Sequence, residues 1–191
     1  MRIIRSAVLV TLWIAGVAVP AHAMNWSLGA NLGYTSYNPD EGETVSIFAW
    51  PSTTQFVTPG LRIGFMGDNP IHEFHLDTGL VLVSSDGASS SIVTFTGNYQ
   101  YNWPVGGNTG PYLTAGGGAS MIRESDGVDV NGTSALFGGG VGIRHKMGNG
   151  HGVLRGEVRF DSVGEAKDGS LILFEKGTDI EVRLGFDLWD K

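Results

Sequence analysis

The stretch Asp179-Ile180-Glu181-Val182-Arg183-Leu184-Gly185-Phe186-Asp187-Leu188 changes character at every residue. Charged residues and one glycine take the odd positions; aliphatic and aromatic residues take the even ones. Successive side chains of an extended strand point to opposite faces, so this period of two makes a strand with one polar and one apolar side.

The same alternation runs upstream through most of the chain. Trp26, Leu28, Ala30, Leu32 and Tyr34 oppose Ser27, Gly29, Asn31 and Gly33. Leu61, Ile63 and Phe65 oppose Gly60, Arg62 and Gly64, and after Asp68-Asn69-Pro70 the residues Phe74, Leu76, Leu80 and Leu82 oppose Glu73, His75, Asp77 and Gly79. Further strands are centred on Val93–Trp103, Pro111–Ile122, Ala135–Arg144 and Leu154–Asp161. The spacing predicts eight strands, each long enough for the about 9–11 residues of a tilted membrane-crossing strand. Longer connections (about 37–55, 84–90, 123–133 and 162–178) alternate with short ones (68–70, 104–110 and 148–151), as an up-and-down meander with all its long loops at one end requires. The fold class read from this pattern is all-β: an eight-stranded antiparallel up-and-down transmembrane β-barrel. Val45 to Trp50 and Leu171 to Phe174 are apolar runs inside the first and last long loops, either strand extensions or segments packing over the barrel mouth.

Composition agrees with many strands. Thirty glycines and seven prolines in 191 residues, with only 16% charged residues, disfavour long helices. The absence of cysteine excludes disulfides, thiolate metal sites and a cysteine nucleophile. A formal charge of −7 without a basic cluster excludes nucleic acid as a partner. Residues 1–23 read as a secretory signal: Arg2 and Arg5, an apolar run from Ala7 to Val19, then Ala21-His22-Ala23 as an A-x-A cleavage site. Residues 24–191 then form the barrel domain, exported to the cell outer membrane.

Glycine decides which face is which. The polar face carries Gly29, Gly33, Gly60, Gly64, Gly79, Gly116, Gly118, Gly138, Gly140, Gly142 and Gly185. Glycine weakens a strand and gains nothing on a solvated face, but a narrow eight-strand lumen needs small residues beside each long charged one. The polar face is therefore expected inside and the apolar face against lipid. Aromatic residues near strand ends (Trp26, Tyr34, Tyr99, Tyr101, Trp103, Trp189) are expected as interfacial girdles.

Gly110-Pro111-Tyr112-Leu113-Thr114-Ala115-Gly116-Gly117-Gly118-Ala119, Phe137-Gly138-Gly139-Gly140-Val141-Gly142-Ile143-Arg144 and Leu154-Arg155-Gly156-Glu157-Val158-Arg159-Phe160 resemble the small bacterial outer-membrane β-barrel proteins of the OmpA-transmembrane-domain and OmpX kind. The resemblance implies an integral outer-membrane barrel and is hardly specific for function; the expected function is a structural, adhesive or surface-interaction role through acidic extracellular loops. It departs at the end, where family members commonly finish on an aromatic residue and Trp189 is here followed by Asp190-Lys191.

Candidate chemistry is sparse. Glu73, His75 and Asp77 share one strand face about 7 Å apart, a spacing open to metal ligation or acid–base work but read here as interior polar residues paired with Arg62 and other cations. The expected lumen network comprises Arg62, Glu73, His75, Asp77, Arg144, Arg155, Glu157, Arg159, Glu181 and Arg183. No catalytic, cofactor-binding or metal-binding residue is expected, and no cofactor. The histidines lead into Glu73-Phe74, Leu76-Asp77, Lys146-Met147 and Gly152-Val153, so the His-x-Ser pair of the lipid A deacylase barrels is missing. A narrow ion or small-solute channel and a lipid A-modifying enzyme stand as alternative functions. The loop acids Asp40, Glu41, Glu43, Asp86, Glu124, Asp126, Asp129, Glu165, Asp168 and Glu175 form either a solvated surface or one that holds divalent cations or docks a basic partner. The expected surroundings are outer-membrane lipid and lipopolysaccharide, with room for an extracellular protein partner, around a monomeric barrel.

Charge also predicts register. Pairing the last two strands at a residue-number sum of 340 sets Arg159 opposite Glu181 and Glu157 opposite Arg183, where shifts of two in either direction oppose like charges. One like pair, Asp161 with Asp179, is left at what should be the wetter loop end. A two-residue Asp168-Gly169 hairpin would break this parity, so a bulge or wider loop is expected there.

Overall fold

The computed structural model describes residues 25–49, 60–67, 69–85, 88–125, 129–148 and 150–190. The signal segment lies outside them, as do Trp50, Asp68, Asp86 and Asp126. The elements are β1 (Asn25–Pro39), β2 (Val45–Ala49), β3 (Leu61–Met66), β4 (His72–Ser85), β5 (Ala88–Asn102), β6 (Thr109–Ser125), β7 (Asp129–Lys146), β8 (Gly152–Val163), β9 (Ala166–Asp168), β10 (Leu171–Phe174) and β11 (Gly177–Trp189). All are strands, and neighbours pair antiparallel. Pairing of β11 with β1, from Ser27↔Trp189 to Pro39↔Gly177, closes an eight-stranded barrel.

β2 and β3 together supply its second strand. Both lie on the same side of β1, β2 against Gly33–Tyr37 and β3 against Asn25–Ala30. The residue-number sum is 82 along β2 and 91 along β3, so the two registers against β1 differ by nine. The run from Val45 is thus a strand extension, whereas Leu171–Phe174 pairs with Ala166–Asp168 in a separate hairpin over the barrel mouth. That hairpin turns at Gly169 (φ +61°), a backbone state open to glycine, and carries the expected register shift between Ile172 and Phe174.

Two of the anticipated long loops are strands instead. Ser85 pairs with Ala88 and Ser125 with Asp129, so β4–β5 and β6–β7 run on to connections of two and three residues. Ser89-Ser90-Ser91 and Asn131-Gly132-Thr133 lack an apolar face, which removed the period but not the backbone hydrogen bonds.

The apolar face points outward: Leu184 is 59% exposed, Val158 51% and Phe74 58%. Its neighbours in sequence point into the lumen, where Arg62, His75, Gln100, Arg159, Glu181 and Arg183 are buried. Packing in this interior is tight enough for the glycines to be required. A Cβ on Gly138 would sit 2.2 Å from the carbonyl oxygen of Phe160, and one on Gly185 would lie 2.7 Å from Nη2 of Arg155.

Candidate functional site in the barrel lumen

Arg159 faces Glu181 and Arg183 faces Glu157 across β8 and β11, at the predicted sum of 340. Asp161 faces Asp179, also as predicted, but both are buried rather than wet. The reason is a lid. Tyr37, Ile92, Ile122, Leu136 and Val163 point inward at the distal end of the barrel, opposite the end that holds the start of β1 and the end of β11. They pack with Ala166 and Phe174 of the β9–β10 hairpin into one apolar cluster. The Tyr37 and Phe174 rings stand 4.7 Å apart between centroids, and Tyr37 Oη donates to the Glu175 carbonyl at 2.5 Å.

At the other end Trp189 points inward and is 7% exposed, with Tyr112 and Val153 also buried. Trp189 is therefore not part of an outer girdle: odd positions of β11 face the lumen, and its ring reaches 3.4 Å from where a Gly64 Cβ would be. Trp26, Tyr34, Tyr99 and Trp103 are exposed on the outside, as expected of a girdle. Below the distal lid lies the charged interior.

Its proximal half, near the termini, centres on Asp77. Arg62 donates through Nε to Asp77 Oδ1 (2.7 Å) and through Nη2 to Oδ2 (3.3 Å), and Asn98 Nδ2 donates to Oδ2 at 3.1 Å. Arg183 Nη1 stands 3.6 Å and His75 Nε2 3.5 Å from the same oxygen. Arg155 grips Asp187 with two parallel hydrogen bonds, one from Nη2 at 2.8 Å, and Nη2 also reaches Asn31 Oδ1 at 3.2 Å. Glu73 accepts from Gln100 at 3.2 Å, with Arg144 Nη1 4.0 Å away. Glu73, His75 and Asp77 thus share a buried face, but the two carboxylates are engaged by different partners.

The distal half is differently balanced. The Arg159 guanidinium binds Asp161, two residues on, with Nε 2.8 and 2.7 Å from the two carboxylate oxygens, rather than Glu181 across the ladder. Arg183 Nη2 meets Glu181 Oε2 at 2.6 Å, and its Nη1 stands 3.9 Å from Glu157 Oε1. Asp161, Asp179 and Asp187 complete the buried carboxylates, and the alternation that placed Glu181 inward places them inward too.

The fold is that of the small outer-membrane barrels. The chain superposes on neisserial surface protein A with a TM-score of 0.62 at 14% identity, covering 85% of this chain and 96% of that one. Ail, the attachment invasion locus protein of Yersinia pestis, matches at 0.48 and 10% over 87% of this chain and 99% of that one. The N-terminal barrel domain of Pseudomonas aeruginosa OprF matches at 0.45 and 14% over 85% and 97%. No protein-family model and no curated protein sequence matches the chain.

The loop acids divide. Asp40 pairs with Lys176 at 3.0 Å and Glu165 with Lys167 at 2.6 Å, while Asp168 Oδ2 accepts from the backbone N–H of Asn131 at 2.9 Å. These contacts tie β1, β7 and the β9–β10 hairpin together at the distal end. The Asp40 hydrogen bond also holds the exposed Lys176 ammonium above its ordinary pKa. Outside the barrel, His72 Nδ1 meets Tyr99 Oη at 2.6 Å and His145 Nδ1 meets Thr109 Oγ1 at 2.7 Å.

Proposed function

We propose that this protein is an outer-membrane barrel, delivered by its residue 1–23 signal, whose work is done by its extracellular surface. The barrel serves as the anchor, and it neither conducts nor catalyses. One observation carries this reading: the lumen is filled by buried guanidiniums and carboxylates and capped distally by the Tyr37–Phe174 lid among the described residues. A conducting pore needs a continuous wet path, and paired guanidiniums and carboxylates filling a narrow lumen oppose one. The exposed apolar wall supports a lipid surrounding with lipopolysaccharide at the distal end. Strands that continue past the membrane-crossing length give a rigid surface able to present the exposed Glu41, Glu43, Glu124 and Asp129 to a basic partner.

Planar-bilayer recording of the refolded protein tests this reading, with no steady single-channel current expected. Large, stable currents would establish the channel instead. Lipid A mass spectra from expressing and non-expressing cells test the enzyme alternative, and identical acyl patterns are expected.

A further inference from the structure

The buried charges do not balance. Seven carboxylates (Glu73, Asp77, Glu157, Asp161, Asp179, Glu181, Asp187) share the interior with five guanidiniums (Arg62, Arg144, Arg155, Arg159, Arg183). With every group ionised, two negative charges are in excess, in a region where an uncompensated charge is very costly. The excess is local. Asp161 of β8 and Asp179 and Glu181 of β11 each bring a ligand oxygen within 4.8 Å of the others. Asp161 and Asp179 stand directly opposite, an arrangement that strand ladders avoid.

A second observation points to a ligand. Asp161 is held by Arg159 and Glu181 by Arg183, but both oxygens of the fully buried Asp179 lack a hydrogen-bond donor among the described residues. Beside Asp161 on the adjacent strand β7 stands a glycine, where a Cβ on Gly138 would fall 2.3 Å from Asp161 Oδ1.

We propose that Asp161, Asp179 and Glu181 hold one calcium ion beneath the apolar lid. The donors are all carboxylate oxygens, the hard ligands calcium prefers, and their spread matches oxygens bound about 2.3–2.6 Å from a common centre. Its charge of +2 cancels the excess. Magnesium, which demands near-ideal octahedral geometry and keeps several waters, is less suited to a site with two of its three carboxylates already engaged by arginine. Ion binding would tie β8 to β11 just below the hairpin.

The test uses the full barrel refolded in lipid, stripped of metal and titrated with calcium by calorimetry. Terbium luminescence sensitised by the nearby Tyr37 provides a second readout. One ion per barrel is expected, with a higher melting temperature in calcium than in chelator. Asp179→Asn should weaken binding at least about tenfold, while an Asp40→Asn/Glu165→Gln variant should bind as the parent does. Should Asp179→Asn fail to fold, stoichiometric binding by the Asp40→Asn/Glu165→Gln variant still supports the site. Three results overturn the proposal: no calcium bound, binding lost only in the loop variant, or a protonated-carboxyl infrared band that persists in saturating calcium and disappears in Asp179→Asn.

Discussion

The two halves of the lumen are built from the same strands, yet they solve the burial of charge differently. In the proximal half the carboxylates have guanidinium or amide donors at hand: Asp77 has Arg62 and Asn98, Asp187 has Arg155, and Glu73 has Gln100. In the distal half Asp161, Asp179 and Glu181 crowd around Arg159 and Arg183, under an apolar lid that keeps them from water. Buried charges tolerate low dielectric only when partnered. The proximal half meets that requirement from its own residues, and the distal half calls for a cation from outside.

The sharpest way to break this contrast is to remove a proximal cation. Arg62→Met leaves Asp77 buried without its main donor and should cost about 3–5 kcal/mol. Urea unfolding in vesicles, followed by tryptophan fluorescence, measures it. In chelator, Asp179→Asn at the distal end should show no such loss, because it removes a surplus charge. Equal losses at the two sites would mean that the halves are electrostatically alike.

The wall common to both halves is tested by Leu184→Arg. Leu184 is 59% exposed between inward Arg183 and Gly185, so the new guanidinium meets lipid and should cost about 2–4 kcal/mol near the bilayer midplane. Unchanged stability and membrane extraction would argue against the lipid-facing assignment.

Glycine provides a third comparison. Gly138→Ala must push against the Phe160 carbonyl, 2.2 Å from the added carbon, and should cost about 1–3 kcal/mol. Gly97→Ala, whose methyl meets only Leu76 at 3.7 Å on the outer face, should be neutral or slightly stabilising in the same unfolding assay.

The barrel, its face assignment and the β8–β11 register were legible because period two and charge opposition act through local geometry, as in Arg183 facing Glu157. Trp189 was misplaced because an aromatic residue at a strand end reads as a girdle unless parity is followed to the last residue. The strand extensions through Ser89–Ser91 and Asn131–Thr133 were hidden because above a membrane both faces are polar, and only backbone bonding distinguishes strand from loop. The lid was unreadable for another reason. Phe174 reaches Tyr37 across 137 residues of sequence, and no periodicity encodes such a contact. The acidic excess was visible residue by residue, but its convergence on Asp179 depends on which oxygens the arginines take.

The smallest effect is expected outside the lumen, where the hairpin meets β1. Lys176 Nζ lies 3.0 Å from Asp40 Oδ2, with both side chains more than half exposed. Water solvates each partner almost as well alone as paired, and salt screens what attraction remains, so Lys176→Met should change stability by no more than about 1 kcal/mol. The backbone bond from Asp40 N–H to the Lys176 carbonyl, at 2.9 Å, survives the substitution and keeps the hairpin in register. Tyr37 retains the Glu175 carbonyl as well. Hydrogen exchange at Ala166–Asp168 and Leu171–Phe174 should therefore be the same in the variant and the parent. Faster exchange there would show that the lid depends on this exposed pair, and that the distal half is held shut from its rim rather than by its apolar cluster.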